Sequence, residues 1–180
     1  DNNLIALDAR IILDDNSLYR HPEFASRRTL ELSETERIAG GLGFAYVELD
    51  GDIGIIGNGA GLTMATMDLV FYYGGKPADF LDVGGGAKAD VIERAVSLLL
   101  SRENVKVVLV NVLGGITRCD EVARGIVSAL KKGPAKPIAV RLMGTNEEEG
   151  RKILLENDIK YFESMDEAAH HAVQICRRWS

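Results

Sequence analysis

The chain has 180 residues, 46% hydrophobic and 27% charged, with a formal net charge of -6 at pH 7. This is the composition of a globular domain of ordinary size, and the acidic balance excludes a general binder of nucleic-acid phosphates. No apolar stretch approaches the ~20 residues of a membrane span. Cys119 and Cys176 lack the spacing of a disulfide framework or a zinc site, so they point to a reducing compartment: the cytoplasm, or the mitochondrial matrix in a eukaryote.

The opening D-N-N-L-I-A-L-D reads as the middle of a longer protein, so the lack of a leader there says nothing of targeting. Leu4–Asp8 and Arg10–Leu13 are short apolar runs that close on Asp14-Asp15-Asn16. Residues 17–30 are polar, show no period and read as a loop. Ser33-Glu34-Thr35-Glu36 has the S-x-x-E form of a capping box and predicts a short helix ending near Gly40-Gly41. Phe44–Leu49 and Ile53–Gly57 flank Asp50-Gly51, which predicts a hairpin with the glycine at positive φ. Helices and strands then alternate. Ala60–Tyr73 and Ala89–Leu100 have helical spacing, and Phe80–Val83 is a strand. Val107–Leu113, nearly all Val and Leu, reads as a strand buried on both faces. Thr117-x-x-Asp120, Thr145-x-x-Glu148 and Ser164-x-x-Glu167 predict capped helices reaching about Lys132, Asn157 and Arg178, with strands at Ile138–Leu142 and Lys160–Phe162. Such alternation means βαβ units. The expected fold class is α/β, a flavodoxin-like doubly wound, mainly parallel sheet with helices on both faces, over residues 41–180. Residues 1–40 are too short to be a second domain alone.

Four apolar runs end in glycine-rich turns: Ile53–Gly61, Phe80–Gly86, Val107–Thr117 and Ile138–Thr145. Ligands of open α/β sheets bind beyond the carboxyl ends of the strands, so these turns form one polar rim. At Gly114-Gly115-Ile116-Thr117 the glycines free the backbone, and first-turn N–H groups with the helix dipole make an anion site; a βα turn that simply favours glycine is the plainer reading. Gly84-Gly85-Gly86 is costly in backbone entropy unless a ligand or another backbone comes close, a flexible loop being the alternative. Gly57-Asn58-Gly59-Ala60-Gly61 resembles a dinucleotide turn, but Leu62 stands where the pattern needs Gly or Ala. Asp79 and Asp82 fall near where a ribose-binding acid would lie, and Asn58 brings both a donor and an acceptor to the rim. Cys119 is either a thiol activated in a first helical turn or a buried structural residue. His21, His170 and His171 show no metal-ligand spacing, and no catalytic histidine is expected. Asp8, Asp14 and Asp15 could lend oxygens to Mg²⁺, although a lone acidic turn is usually only solvated. Arg27-Arg28, Lys131-Lys132 and Arg177-Arg178 read as solvated. The chain is a binding half whose chemistry lies elsewhere.

L-D-A-R at 7–10, D-D-N-S-L-Y-R-H-P-E at 14–23, Y-V-E-L-D-G-D-I-G at 46–54, N-G-A-G-L-T-M-A-T-M-D at 58–68, G-G-K-P-A-D-F-L-D-V-G-G-G-A at 74–87 and V-L-V-N-V-L-G-G-I-T-R-C-D at 108–120 come in this order. Together they resemble the carboxy-terminal part of the β subunits of ADP- or GDP-forming succinate–CoA ligases (succinyl-CoA synthetases). The likeness runs end to end and weakens after about Gly144. It implies interconversion of succinyl-CoA, phosphate and NDP with succinate, CoA and NTP through a phosphohistidine on a partner α subunit, in an αβ or α₂β₂ complex. It implies no catalytic residue in this chain. Residues 1–40 would be the end of an ATP-grasp domain and a linker, and 41–180 a CoA-ligase domain. The helix starting at Gly115-Ile116-Thr117 would face the phosphohistidine. Substrate contacts would come from Asn58 and the backbone of Gly115, Ile116 and Thr117. Asp8 would be a Mg²⁺ ligand, with ATP or GTP held mostly by parts of the ATP-grasp domain upstream, so the chain alone would be inactive. Arg10 stands where the family usually has Lys, and Met143 falls where it varies. Two other readings stand beside this one: a CoA ligase for another dicarboxylate such as malate, and a non-catalytic nucleotide-binding or receiver-like module with Asp82 as its rim carboxylate.

Overall fold

The structure, a computed structural model, describes residues 4, 5, 7–9, 11, 13–25 and 32–179, and of Asp15, Asn16 and Ala25 the backbone alone. Arg10, Arg27, Arg28 and the carboxyl group of Asp15 lie outside the described residues and side chains. The chain divides into two compact units, Asp1–Leu32 and Ser33–Ser180. In the first, the stretch expected as loop is wound into a 3₁₀ helix, Asp15–Arg20, followed by α1, Pro22–Ala25. The Ser17 N–H donates to the Asp14 carbonyl and its hydroxyl to the Asp14 carboxylate. Such i→i+3 bonds close turns without any hydrophobic period to announce them.

The second unit opens with α2, Glu34–Gly41. Ser33 forms the expected capping box: its hydroxyl accepts from the Glu36 N–H at 3.1 Å, and the Glu36 carboxylate accepts from the Ser33 N–H at 2.9 Å. Ala39 of α2 is part of the core under the sheet, which ties the helix to this unit. There follow β1 (Ala45–Glu48), β2 (Ile53–Gly57), α3 (Ala60–Tyr72), β3 (Asp79–Asp82), α4 (Ala89–Ser101), β4 (Val107–Gly114), α5 (Cys119–Lys132), β5 (Ile138–Gly144), α6 (Glu147–Glu156), β6 (Tyr161–Phe162) and α7 (Met165–Arg178).

The six strands are ordered β1-β3-β2-β4-β5-β6. All neighbours are parallel except β1, which runs antiparallel to β3 at the edge. Numbered among themselves, the parallel strands read 2-1-3-4-5, the flavodoxin-like order, whose switch point lies between β2 and β4. Side chains alternate across β4 as a strand requires. Val108, Val110 and Val112 pack with Ile92, Leu99 and Ile126 of α4 and α5, while Val107 and Leu109 pack with Val70, Ala169 and Val173 of α3 and α7.

The expected hairpin is not formed. β1 pairs with β3, Ala45 opposite Asp82 and Glu48 opposite Asp79, although β2 follows it in the chain. Gly51 has no positive φ. A Cβ there would lie 2.0 Å from the Pro77 carbonyl oxygen, so the glycine serves a close backbone crossing rather than a tight turn.

β3 begins on a buried acid. Asp79 is 0% exposed; its Oδ1 accepts from the Ile55 N–H at 3.1 Å and its Oδ2 has no partner among the described residues. It sits at the amino end of the strand, away from the rim, which rules it out as a ribose-binding acid. Burial pushes its pKa up to about 8, against the opposing pull of the Ile55 N–H and the Arg102 guanidinium. An unfolded aspartate titrates near 3.9, so folding favours the protonated form. The stabilisation this gives is complete below about pH 4 and is lost as pH rises to about 8. Urea unfolding of the wild type is expected to weaken between about pH 5 and pH 8, and that of Asp79→Asn, which keeps an acceptor for Ile55, to lack this slope. Equal slopes in the two proteins would count against the assignment.

Candidate functional site

The site is built where β2, β3, β4 and β5 end. Asn58 lies in the two-residue link from β2 to α3, and its amide imitates a strand residue. Oδ1 accepts from the Leu113 N–H and Nδ2 donates to the Leu113 carbonyl, both at 2.9 Å. This extends the β2–β4 ladder past its last pair, Gly57 and Asn111. Nδ2 also donates to Thr117 Oγ1 at 3.3 Å. Thr117 is 1% exposed and accepts a second bond, 2.9 Å from the Gly86 N–H. At the end of β3, Asp82 Oδ1 accepts from the N–H groups of Gly59 at 2.6 Å and Gly84 at 2.8 Å. The loops after β2, β3 and β4 are thus laced together at the switch point. Gly84 and Gly86 have φ of 73° and 76°, which side-chain-bearing residues rarely adopt. The triple glycine is bent to meet Thr117, not left slack.

The loop after β5 joins them. The Thr145 N–H donates to the Gly114 carbonyl at 3.1 Å and its hydroxyl to the Gly115 carbonyl at 2.8 Å. Two expected capping boxes are therefore absent, because Thr117 and Thr145 use their hydroxyls across the rim. α5 starts with Arg118 as N-cap and α6 with Asn146 at φ 59°, neither with a side-chain cap bond. Ser164 does cap α7, accepting from the Asp166 N–H at 3.2 Å.

The N–H groups of Gly115, Ile116 and Thr117 reach no acceptor among the described residues. They sit at the mouth of α5, where the helix dipole favours an anion. An acid in the first turn could cancel that field, but Asp120 is matched. Arg118 makes two 3.1 Å bonds to it, Arg124 one of 2.8 Å and Asn146 one of 3.2 Å. The Arg118 bonds foremost hold this carboxyl well below the usual range. Beside the mouth, an open cleft of about 480 Å³ is lined by Gly86, Ala87, Lys88, Ile116, Arg118 and Glu121. Backbone donors, Lys88 and a helix terminus suit a carboxylate or phosphoryl group, Arg118 being paired with Asp120 and Glu121 with Arg124 and the Ala89 N–H.

The side chains of the remaining candidates make none of these bonds. Cys119 is fully buried; burial, with Glu147 and Asp120 acting in the same sense, pushes its thiol up to about 11. It is a structural residue and not a thiolate. His21 faces Glu23 at 3.2 Å in the first unit, while on α7 His170 contacts Gln174 and burial lowers the pKa of His171. Asp8 is exposed, with its Oδ1 accepting from the Ala9 N–H. Among the described residues no three His, Cys, Asp or Glu side chains gather to hold a metal ion. Mg²⁺ demands an octahedral oxygen shell, so these residues do not by themselves fit it, and Asp8 is at most one donor of a set completed elsewhere. Among the described residues no helix is long and apolar enough to cross a membrane. The sequence reading missed the cross-rim hydroxyls of Thr117 and Thr145 and the clasp at Asp82. The signal was present in G-G-I-T and M-G-T, but it reads equally as a helix cap.

The CoA-ligase family model matches residues 56–175. The chain is 59% identical over 180 residues to the succinate–CoA ligase [ADP-forming] subunit beta of Staphylothermus marinus, covering 99% of this chain and 48% of that one. It is 60% identical to the same subunit of Ignicoccus hospitalis, covering 98% and 47%. The chain thus spans about half the length of the curated relatives it matches. Among solved structures, ATP citrate lyase from Methanothrix soehngenii in complex with citrate and coenzyme A superposes with a TM-score of 0.69 at 18% identity, over 90% of this chain and 52% of that one. A dinucleotide-forming acetyl-coenzyme A synthetase 1 from Ca. Korarchaeum cryptofilum gives 0.62 at 21% identity, over 73% and 34%. These two likenesses concern the fold.

Proposed function

The chain belongs to the CoA-ligase family, and from that premise we propose that it is the carboxy-terminal part of the β subunit of a succinate–CoA ligase. The whole enzyme would interconvert succinyl-CoA, phosphate and NDP with succinate, CoA and NTP. In this reading the phosphohistidine arrives on an α subunit, in an αβ or α₂β₂ complex in the cytoplasm. The N–H groups of Gly115, Ile116 and Thr117 then stabilise the anion at the mouth of α5. That row of unused donors at the start of α5 is the observation that carries the reading. Both Nδ2 hydrogens of Asn58 are engaged within the protein, so any contact it makes with substrate is through the second lone pair of Oδ1. ATP or GTP and Mg²⁺ belong mostly to an ATP-grasp domain, of which residues 1–40 form the end and Asp8 contributes at most one metal ligand.

The receiver-like alternative is not favoured, since Asp82 Oδ1 is committed to two backbone N–H groups. The test is to assemble the intact β subunit with its α partner and measure CoA-dependent ADP or GDP formation with a panel of dicarboxylates. Succinate should give the highest kcat/KM. Malate equal or better would move the assignment to another dicarboxylate ligase, and failure with every acid would overturn it.

A further inference from the structure

The geometry points to Thr117 as a positioning residue: its hydroxyl oxygen is the knot that holds the loops after β2, β3 and β4 in one cradle. This rests on the reading of that cradle as the anion site of a CoA ligase. A threonine hydroxyl has two acceptor lone pairs and one proton. At Thr117 both lone pairs are engaged, by Asn58 Nδ2 at 3.3 Å and by the Gly86 N–H at 2.9 Å. The Asn58 amide cannot be turned round to offer its oxygen instead, because the Leu113 N–H and carbonyl fix its orientation at 2.9 Å each. Thr117 itself is 1% exposed, while Asn58 and Gly86 on either side of it are half-buried.

Thr117 is also one of the three residues before α5 whose backbone N–H reaches no acceptor among the described residues. Its hydroxyl therefore fixes that donor row against the Gly84–Gly86 loop across the cleft. The neighbouring Gly115 carbonyl is pinned separately by Thr145 Oγ1 at 2.8 Å. Loss of the hydroxyl frees the Gly86 side of the cradle and leaves the β5 side in place. A valine fills the same volume but accepts nothing. It would take the acceptor from the half-buried Gly86 N–H and from one of the two Nδ2 hydrogens of Asn58, at a cost that favours loop positions in which each finds another partner.

The test uses the intact β subunit with its α partner, as Thr117→Val and Thr117→Ser. A displacement of about 1 Å in a positioning group costs on the order of 100-fold, so kcat of the valine variant should fall about 10- to 100-fold. Donors that act in the transition state lower kcat and kcat/KM together, so the KM for the acid should move less than about threefold. Serine, which keeps the oxygen, should restore kcat to within about threefold. Hydrogen exchange should quicken in segments 84–88 and 113–118 together in the valine variant and in neither for serine. Wild-type kcat in Thr117→Val, or serine as impaired as valine, would overturn the proposal, the latter by making the methyl packing responsible. If the wild-type complex proves to have no succinate–CoA ligase activity, the functional reading fails separately. The exchange comparison then decides the knot alone: unchanged exchange in Thr117→Val overturns it.

Discussion

Gly115→Glu in the assembled enzyme is expected to lower phosphoenzyme formation and turnover by about 100-fold or more, while Gly115→Ala leaves both within a few fold. The argument is electrostatic. Removing a single preorganised backbone or side-chain donor from a charge-stabilising site costs about 10²–10³ in rate, and a carboxylate placed among the donors both occupies them and repels the incoming anion. The fold should not suffer. Gly115 is exposed, has no positive φ, and a Cβ there meets nothing within 4 Å. Thermal unfolding of both variants should match the wild type, which separates a lost site from a lost structure. Full phosphorylation of the α subunit by the glutamate variant would show that the mouth of α5 is not where the anion sits.

Arg102→Met is expected to destabilise the protein by about 2–4 kcal/mol, below the range for a fully buried ion pair because the Glu48 side chain is 34% exposed. In a chain of this size that is a fall in Tm of about 4–16 °C. Arg102 ends α4 and is 8% exposed. Its guanidinium donates to the Tyr46 hydroxyl at 2.6 Å, the Ala78 carbonyl at 2.9 Å and Glu48 at 2.6 Å. Glu48 in turn accepts from the hydroxyl of Ser33, the residue that caps α2. One side chain therefore ties α4 to the edge strand β1 and, through Glu48, to the start of α2. Methionine matches the length and apolar stem of Arg102 but removes its charge from Glu48, leaving the Ser33 hydroxyl on Glu48 and the Leu49 N–H on the Ala78 carbonyl. A Tm within about 2 °C of wild type would mean that the edge is held by apolar packing instead.

The cost predicted for Arg102 was not legible in the sequence, where the residue is one of many charges after an amphipathic helix. Ala89–Leu100, by contrast, was legible almost to the residue as α4, Ala89–Ser101. Val107–Leu113 became β4, buried on both faces as far as Val112, while Leu113 at the rim is 53% exposed. The G-G-I-T turn was legible as the glycine-rich entry to a helix, because glycine content and a helix start are properties of neighbouring residues. The bonding of Thr117 was not. The same threonine satisfies the pattern of a helix cap and the needs of a loop from another strand, and only the distance to Gly86 decides between them. β1 shows the same ambiguity: Asp50-Gly51 permits a hairpin, but the edge of β3 lay free to take the strand.

What the sequence determined by itself is the succession of helices and strands, the parallel α/β class and the position of the glycine-rich rim. Burial on one face of a helix or both faces of a strand imposes a period that is written locally along the chain. What tertiary structure alone decided is the partner of each polar group. Thr117 went to Gly86 and Asn58 rather than to its own helix, Asp79 into the interior rather than to the rim, and β1 to β3 rather than to β2. The reason is that a hydrogen bond is satisfied by whichever group the fold brings within about 3 Å, and that proximity is set by strand order, which no local period encodes.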